Sequence, residues 1–165
     1  MSLVTETGTA SATSESLCDV TTALAYFTNR GNATWLALST AQQEQALRKA
    51  TDYMEQVYKL QWQGLRVNNI QALDWPRVGV TANGYYVLST IVPVAIQRAC
   101  AELALRAAAG DLLVDTTQQK TTTKVGDLEV AFDKYSPQAV QYPAIVALLQ
   151  PYFDLASGFK HKVVR

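Results

Sequence analysis

The stretch Ser39-Thr40-Ala41-Gln42-Gln43-Glu44-Gln45-Ala46-Leu47-Arg48-Lys49-Ala50-Thr51-Asp52-Tyr53-Met54-Glu55-Gln56-Val57-Tyr58 decides the fold class. Leu47, Ala50, Met54, Val57 and Tyr58 recur at steps of three or four, which gives an α-helix one apolar face. Gln45, Arg48, Lys49, Asp52 and Glu55 fall largely on the other side. Thr40 and Gln43 stand at capping-box spacing, where each side chain satisfies an otherwise orphan backbone N–H. Arg48 and Asp52 add an i,i+4 pair, worth only a few tenths of a kcal/mol. A helix is expected from here to about Lys59.

Working outward, a second long helix is expected from Pro93 to Ala109. Proline suits a first turn, because its missing N–H would be unpaired there in any case. Ile96, Ala99, Cys100, Leu103, Ala104 and Ala107 form a stripe of mostly small apolar residues, open to close approach by a partner helix. Arg98, Glu102 and Arg106 form an i,i+4 ladder opposite, and Gly110 is placed for a left-handed cap with Leu112 beyond it. Shorter helical pieces are expected after a cap at Thr21 or Thr22, at 33–38, and from Pro143 through Leu149, where Pro151 bends or ends the last one. The fold class is therefore mainly α, a small bundle of about four helices with a β-hairpin and extended N- and C-terminal arms.

Other segments read differently. Residues 5–16 are polar and nearly free of large apolar groups, so they are expected to form an arm or loop with little core. Residues 60–92 form a long irregular connection in which Trp62 and Trp75 act as core pegs rather than a base-stacking platform, Trp75 being held extended by Pro76. From residue 116 the period changes to two. A Thr-rich run precedes Gly126-Asp127, and Leu128, Val130 and Phe132 then alternate with Glu129, Ala131 and Asp133, which is a β-hairpin with a glycine-first turn. An isolated hairpin is marginal in water, so this one should lean on its domain or on another subunit. The resulting division is 1–20 as N-terminal arm, 21–155 as helical domain including the hairpin at 116–133, and 156–165 as C-terminal tail.

The 165 residues include 14 basic and 14 acidic side chains and 48% hydrophobic residues, a composition for one folded domain rather than a disordered chain. No apolar run approaches the ~18 residues of a membrane span, and the first residues lack the features of a secretory signal, so a cytoplasmic site of synthesis is expected. A sequence-independent nucleic-acid binder would be basic overall, and no basic stripe interleaved with aromatics is visible along the chain.

Candidate chemistry is sparse. His161 is the lone histidine, close to the end of the chain, and cannot by itself supply a triad or a zinc site. Cys18 and Cys100 are far apart in sequence and outside any CxxC, so they read as ordinary reduced thiols. No phosphate-binding glycine motif occurs, and Asp111, Asp115, Asp127, Glu129 and Asp133 lack calcium-loop spacing. No enzymatic activity, cofactor or metal is expected.

Several pieces, taken in order, resemble a known family. They are Val4-Thr5-Glu6-Thr7-Gly8-Thr9, Thr22-Ala23-Leu24-Ala25-Tyr26-Phe27 with Arg30-Gly31-Asn32, and Arg48-Lys49-Ala50-Thr51-Asp52-Tyr53. Ala72-Leu73-Asp74-Trp75-Pro76-Arg77, Ala101-Glu102-Leu103-Ala104-Leu105-Arg106, Gly110-Asp111-Leu112-Leu113 and Lys124-Val125-Gly126-Asp127-Leu128-Glu129-Val130 follow. Together they resemble the small head–tail connector, or adaptor, proteins of tailed bacteriophages, part of which family is labelled DnaT-like single-stranded DNA-binding. The resemblance implies a structural virion protein at the neck. It would form a ring, usually dodecameric, beneath the portal protein and extend the channel through which double-stranded DNA passes without specific binding. It would also present a surface to the next tail or neck component, with no membrane partner. The alternative is a single-stranded DNA-binding accessory protein of replication.

Two sets of residues are candidates for contacts. In the hairpin, Lys120, Lys124, Gly126, Asp127, Leu128 and Val130 are expected to meet a neighbouring subunit. At the C-terminus, Phe159, Lys160, Lys162, Val163, Val164 and Arg165 mix charge with burial after the flexible Ser157-Gly158 joint, and are expected to dock on the portal.

Overall fold

The computed structural model describes residues 2–113, 122–125, 128–131 and 142–154. The protein is helix-dominated: α1 (Val20–Thr28), α2 (Ala33–Leu36), α3 (Thr40–Val57), α4 (Val94–Ala109) and α5 (Pro143–Leu149), which runs into a 3-10 turn at Gln150–Tyr152. Three short antiparallel ladders accompany the helices among the described residues. They are β1 (Leu65–Arg66) with β2 (Arg77–Val78), β3 (Thr81–Ala82) with β4 (Tyr85–Tyr86), and β5 (Thr122–Val125) with β6 (Leu128–Ala131).

α3 and α4 form the central pair, and α1 and α5 pack on α4. The small-residue stripe makes this possible: Ala99, Cys100, Leu103 and Ala104 are fully buried, as are Leu47, Ala50 and Met54 on α3. Each fully buried leucine or methionine contributes roughly 1.5–3 kcal/mol relative to exposure. The capping box of α3 lies one residue earlier than the spacing of Thr40 and Gln43 suggests. Ser39 is the extended N-cap and exchanges hydrogen bonds with Gln42, while Gln43 turns inward and donates to the Trp35 carbonyl at 3.1 Å. Asp19, not Thr21 or Thr22, caps α1, accepting from the Thr22 backbone N–H and hydroxyl, both at 2.7 Å. Gly110 closes α4 in extended backbone (φ 173°) rather than a left-handed cap, its N–H still reaching the Arg106 carbonyl.

The N-terminal segment corrects the reading of 5–16 as an arm with little hold on its own chain. It is irregular but folded down. Glu6 is buried and accepts from the backbone N–H groups of Gly8, Thr9, Ala10 and Ser11, and from the Ser14 hydroxyl. Glu15 then pairs with Arg48 at 2.8 Å, so Arg48 serves this segment and Glu44 (3.8 Å) instead of Asp52. Leu17 and Cys18 complete the descent into the core. A polar segment is held here by an internal carboxylate, which low hydrophobicity does not reveal.

The 60–92 connection is more regular than its composition suggests. Asn83 (φ 52°) and Gly84 (φ 84°) make the two-residue turn between β3 and β4, both with the positive φ of a type I′ hairpin. Trp75 is fully buried and Trp62 nearly so, edge-to-face at 5.7 Å, with Tyr152 against Trp75 at 5.8 Å and Phe153 against Trp62 at 5.1 Å. The two Trp residues thus peg the connection to the 3-10 turn as well as to the helical core.

Candidate functional site

Of the residues singled out in the sequence, those of the hairpin are partly described. β5 and β6 pair with Val125 opposite Leu128, Lys124 opposite Glu129 and Thr123 opposite Val130, which is the register of a two-residue loop. Lys120, Gly126 and Asp127 lie outside the described residues, as do all six tail residues Phe159, Lys160, Lys162, Val163, Val164 and Arg165. Two other surfaces stand out, neither marked by a sequence motif.

The first is the outer side of the 60–94 segment. A network of buried and half-buried polar groups fixes this segment. Arg77 donates to the carbonyls of Gln63 (2.7 Å), Gly64 (2.7 Å) and Asp74 (3.2 Å), and Arg66 donates to the Gln71 and Leu73 carbonyls. Glu55, on α3, accepts the Asp74 backbone N–H with both carboxylate oxygens at 2.9 and 3.0 Å. Burial pushes Glu55 up to about 7, with the Asp74 N–H opposing and the Asp74 charge adding to the shift. Burial also raises Asp74, against the pull of Arg77, Arg66 and Lys59. Gln63 ties the two hairpins together, its side chain accepting from the Thr81 N–H at 3.1 Å.

The same segment exposes large apolar side chains. Leu60, Leu65, Val67, Ile70, Tyr85, Tyr86, Leu88, Ile91 and Val94 are nine of the fourteen exposed large hydrophobic residues among those described. Tyr85 is 79% exposed and Leu65 72%. Isolated exposed apolar side chains are ordinary, and nine along one segment exceed that ordinary scatter.

The second surface joins α1, α4 and the start of α5. The Arg30 guanidinium lies 3.6 Å from the Tyr26 ring centroid and donates to the Tyr26 carbonyl. The Tyr26 hydroxyl donates to Glu102 at 3.0 Å, and Glu102 pairs with Arg106 at 3.0 Å. Arg106 in turn lies 5.6 Å from the Tyr142 ring. Beyond Tyr142 a cavity of about 440 Å³ opens between α3 and α5, lined by Tyr53, Val57, Tyr58, Tyr142, Val146 and Gln150 among others. Cations and aromatic rings therefore alternate from the end of α1, across α4, to the N-cap of α5. No linear reading finds this arrangement, because its members come from residues 26, 30, 102, 106 and 142.

Cys18 and Cys100 are free, buried thiols. Burial raises Cys18 strongly and Cys100 to about 11, so neither is an activated nucleophile at neutral pH. No group of three or more His, Cys, Asp and Glu side chains among the described residues could hold a metal ion. Among the same residues, no helix is long and apolar enough to cross a membrane.

Neither the curated proteins nor the solved structures gave a match to the chain. A family match runs over residues 1–165, its full length, and by it the chain belongs to the family described as putative DnaT-like ssDNA binding protein.

Proposed function

We propose that the protein is a structural assembly subunit of a tailed-phage virion: a head–tail adaptor that forms a ring beneath the portal, extends the DNA channel and carries the next neck component. The observation that carries this reading is the apolar outer side of 60–94, fixed by Arg66, Arg77, Glu55 and Gln63. A ring subunit needs lateral faces that are rigid before assembly and dry afterwards, and aromatic and aliphatic side chains suit such interface cores. The hairpin at 116–133 is proposed to meet a neighbouring subunit, and the tail residues Phe159 to Arg165 to dock on the portal. Neutral net charge suits a channel that lets DNA slide.

The test is to mix the purified protein with its portal and image the product. Rings stacked on the portal are expected, and they should be lost when residues 159–165 are deleted. A protein that leaves the portal bare would overturn the reading.

A second reading, the single-stranded DNA-binding accessory protein, is favoured by the family description and by the alternation of Arg30, Tyr26, Arg106 and Tyr142 on one surface. Steeply salt-dependent binding to single strands, absent with duplex, would select it.

A further inference from the structure

The arginines around Tyr26 are not all engaged alike. Glu102, the acidic residue of this patch, is committed twice, to the Tyr26 hydroxyl and to Arg106. Arg98 lies one turn before Glu102 on α4, yet the i,i+4 pair open to it is not made, and the side chain is exposed without an ion pair among the described residues. Arg30 is exposed as well, its guanidinium carbon 3.6 Å from the Tyr26 ring centroid and without a carboxylate partner among the described residues. Arg30, Arg98 and Arg106 against one Glu102 leave an excess of two positive charges on a chain whose total is zero.

We propose that Arg30, against the Tyr26 ring, and Arg98, one turn along α4 from the Glu102 that Tyr26 bonds, form a contact for the phosphodiester backbone of DNA. A guanidinium presents a planar fork of donors that matches two phosphate oxygens, and a weakly hydrated one gives up its water readily. The Tyr26 ring and the Tyr26 carbonyl hold the Arg30 guanidinium in place before any ligand arrives, which lowers the ordering cost of binding. The phenol reports the same field: burial and Glu102 raise Tyr26, and the charges of Arg30 and Arg98 pull it back. An acidic protein surface would be served by charge alone, whereas a pre-oriented fork beside an aromatic ring suits a phosphate with a base or sugar next to it.

This inference rests on the reading of the chain as one that works against DNA, and it identifies the α1–α4 side as the side that does so. Its test uses the full chain, a labelled oligothymidylate and a duplex of equal length, with binding followed across a salt series at fixed pH. The expected result is salt-dependent binding that the double variant Arg30→Gln/Arg98→Gln weakens on either DNA. Its log–log slope should be shallower by about 1.4 on single strands or about 1.8 on duplex, for two phosphate contacts. Arg30→Lys/Arg98→Lys should recover the slope but not the full affinity. Arg98→Gln alone, at an exposed position without an ion pair among the described residues, keeps the test open if the double variant fails to fold. Preference for single strand or for duplex supports the patch either way and selects between the accessory and the adaptor. An unchanged slope in the variants overturns the patch while leaving DNA association intact. Wild-type protein that binds neither DNA overturns it too, and the assembly reading is then still judged by portal binding.

Discussion

Ser14 donates its hydroxyl to Glu6 Oε2 at 3.0 Å, and both residues are buried although neither is apolar. Around that bond the chain from Gly8 to Ser11 turns its backbone N–H groups onto the same carboxylate. The N-terminal segment is thus organised by one internal anion, much as a loop is organised around a bound phosphate.

Replacing Glu6 by Ala should cost about 3 kcal/mol or more, because buried N–H donors lose their acceptor together. Burial alone would raise this carboxyl, but the N–H groups of Ser11, Gly8 and Thr9 and the Ser14 hydroxyl outweigh it and hold Glu6 below its ordinary value. A depressed acid stabilises the fold above its unfolded-state range, and that contribution is lost as pH falls through the folded value. Wild-type protein should therefore lose this contribution below about pH 4.5, and Glu6→Gln should flatten the acid limb of the melting profile. Thermal melts in the acid range check both.

Glu55 should act with the opposite sign. Its folded-state value of about 7 lies above the ordinary carboxylate value, so its contribution is present at low pH and is lost as pH rises through 7. A tenfold change in proton affinity is about 1.4 kcal/mol, so acidifying from about pH 8 to about pH 5.5 should add on the order of 2 kcal/mol. Glu55→Gln, which keeps an acceptor for the Asp74 N–H, should be more stable than wild type at high pH and nearly pH-independent across this window. Melting temperatures of the two proteins in matched buffers give the answer.

Trp75→Ala should destabilise the domain by roughly 3–5 kcal/mol, since it empties a fully buried site between Trp62 and Tyr152. Denaturant unfolding measures this. An unchanged midpoint would mean that the residue faces a partner instead of the core.

The exposed residues should behave in the reverse way. Tyr85→Ser and Leu65→Ser touch side chains that are mostly in solvent, so stability should change by no more than about 0.5 kcal/mol. Portal-bound ring formation should nevertheless fail, because the proposed assembly brings these apolar side chains between subunits. Melting curves and particle imaging on the same preparations separate these two effects.

The long helices were legible because periodicity needs no tertiary information: the faces of Leu47, Ala50 and Met54 and of Ile96, Cys100 and Leu103 are buried as their spacing requires. The caps were legible to within a residue or two, since Ser39 and Thr40 are equally good candidates until the backbone decides which is extended. The register of β5 and β6 followed from alternation and the glycine turn. The N-terminal segment was not legible, because a buried Glu6 satisfied by Gly8 to Ser11 and by Ser14 looks like any polar loop. The turn at Asn83-Gly84 carried a recognisable signal for a hairpin, but strands of two residues leave no alternation on either side. The arginine–tyrosine surface was illegible for a different reason: Tyr26 reaches Glu102, and Arg106 the Tyr142 ring, only once the helices have packed.

The central claim, that the protein is built into a virion, is tested most directly by quantitative mass spectrometry of purified phage particles against the portal as internal standard. The account predicts the chain in every preparation, in fixed ring stoichiometry to the portal and retained after high-salt washing. Its absence from purified particles, alongside abundance in the infected cell, would contradict the account and leave the single-stranded DNA reading in its place.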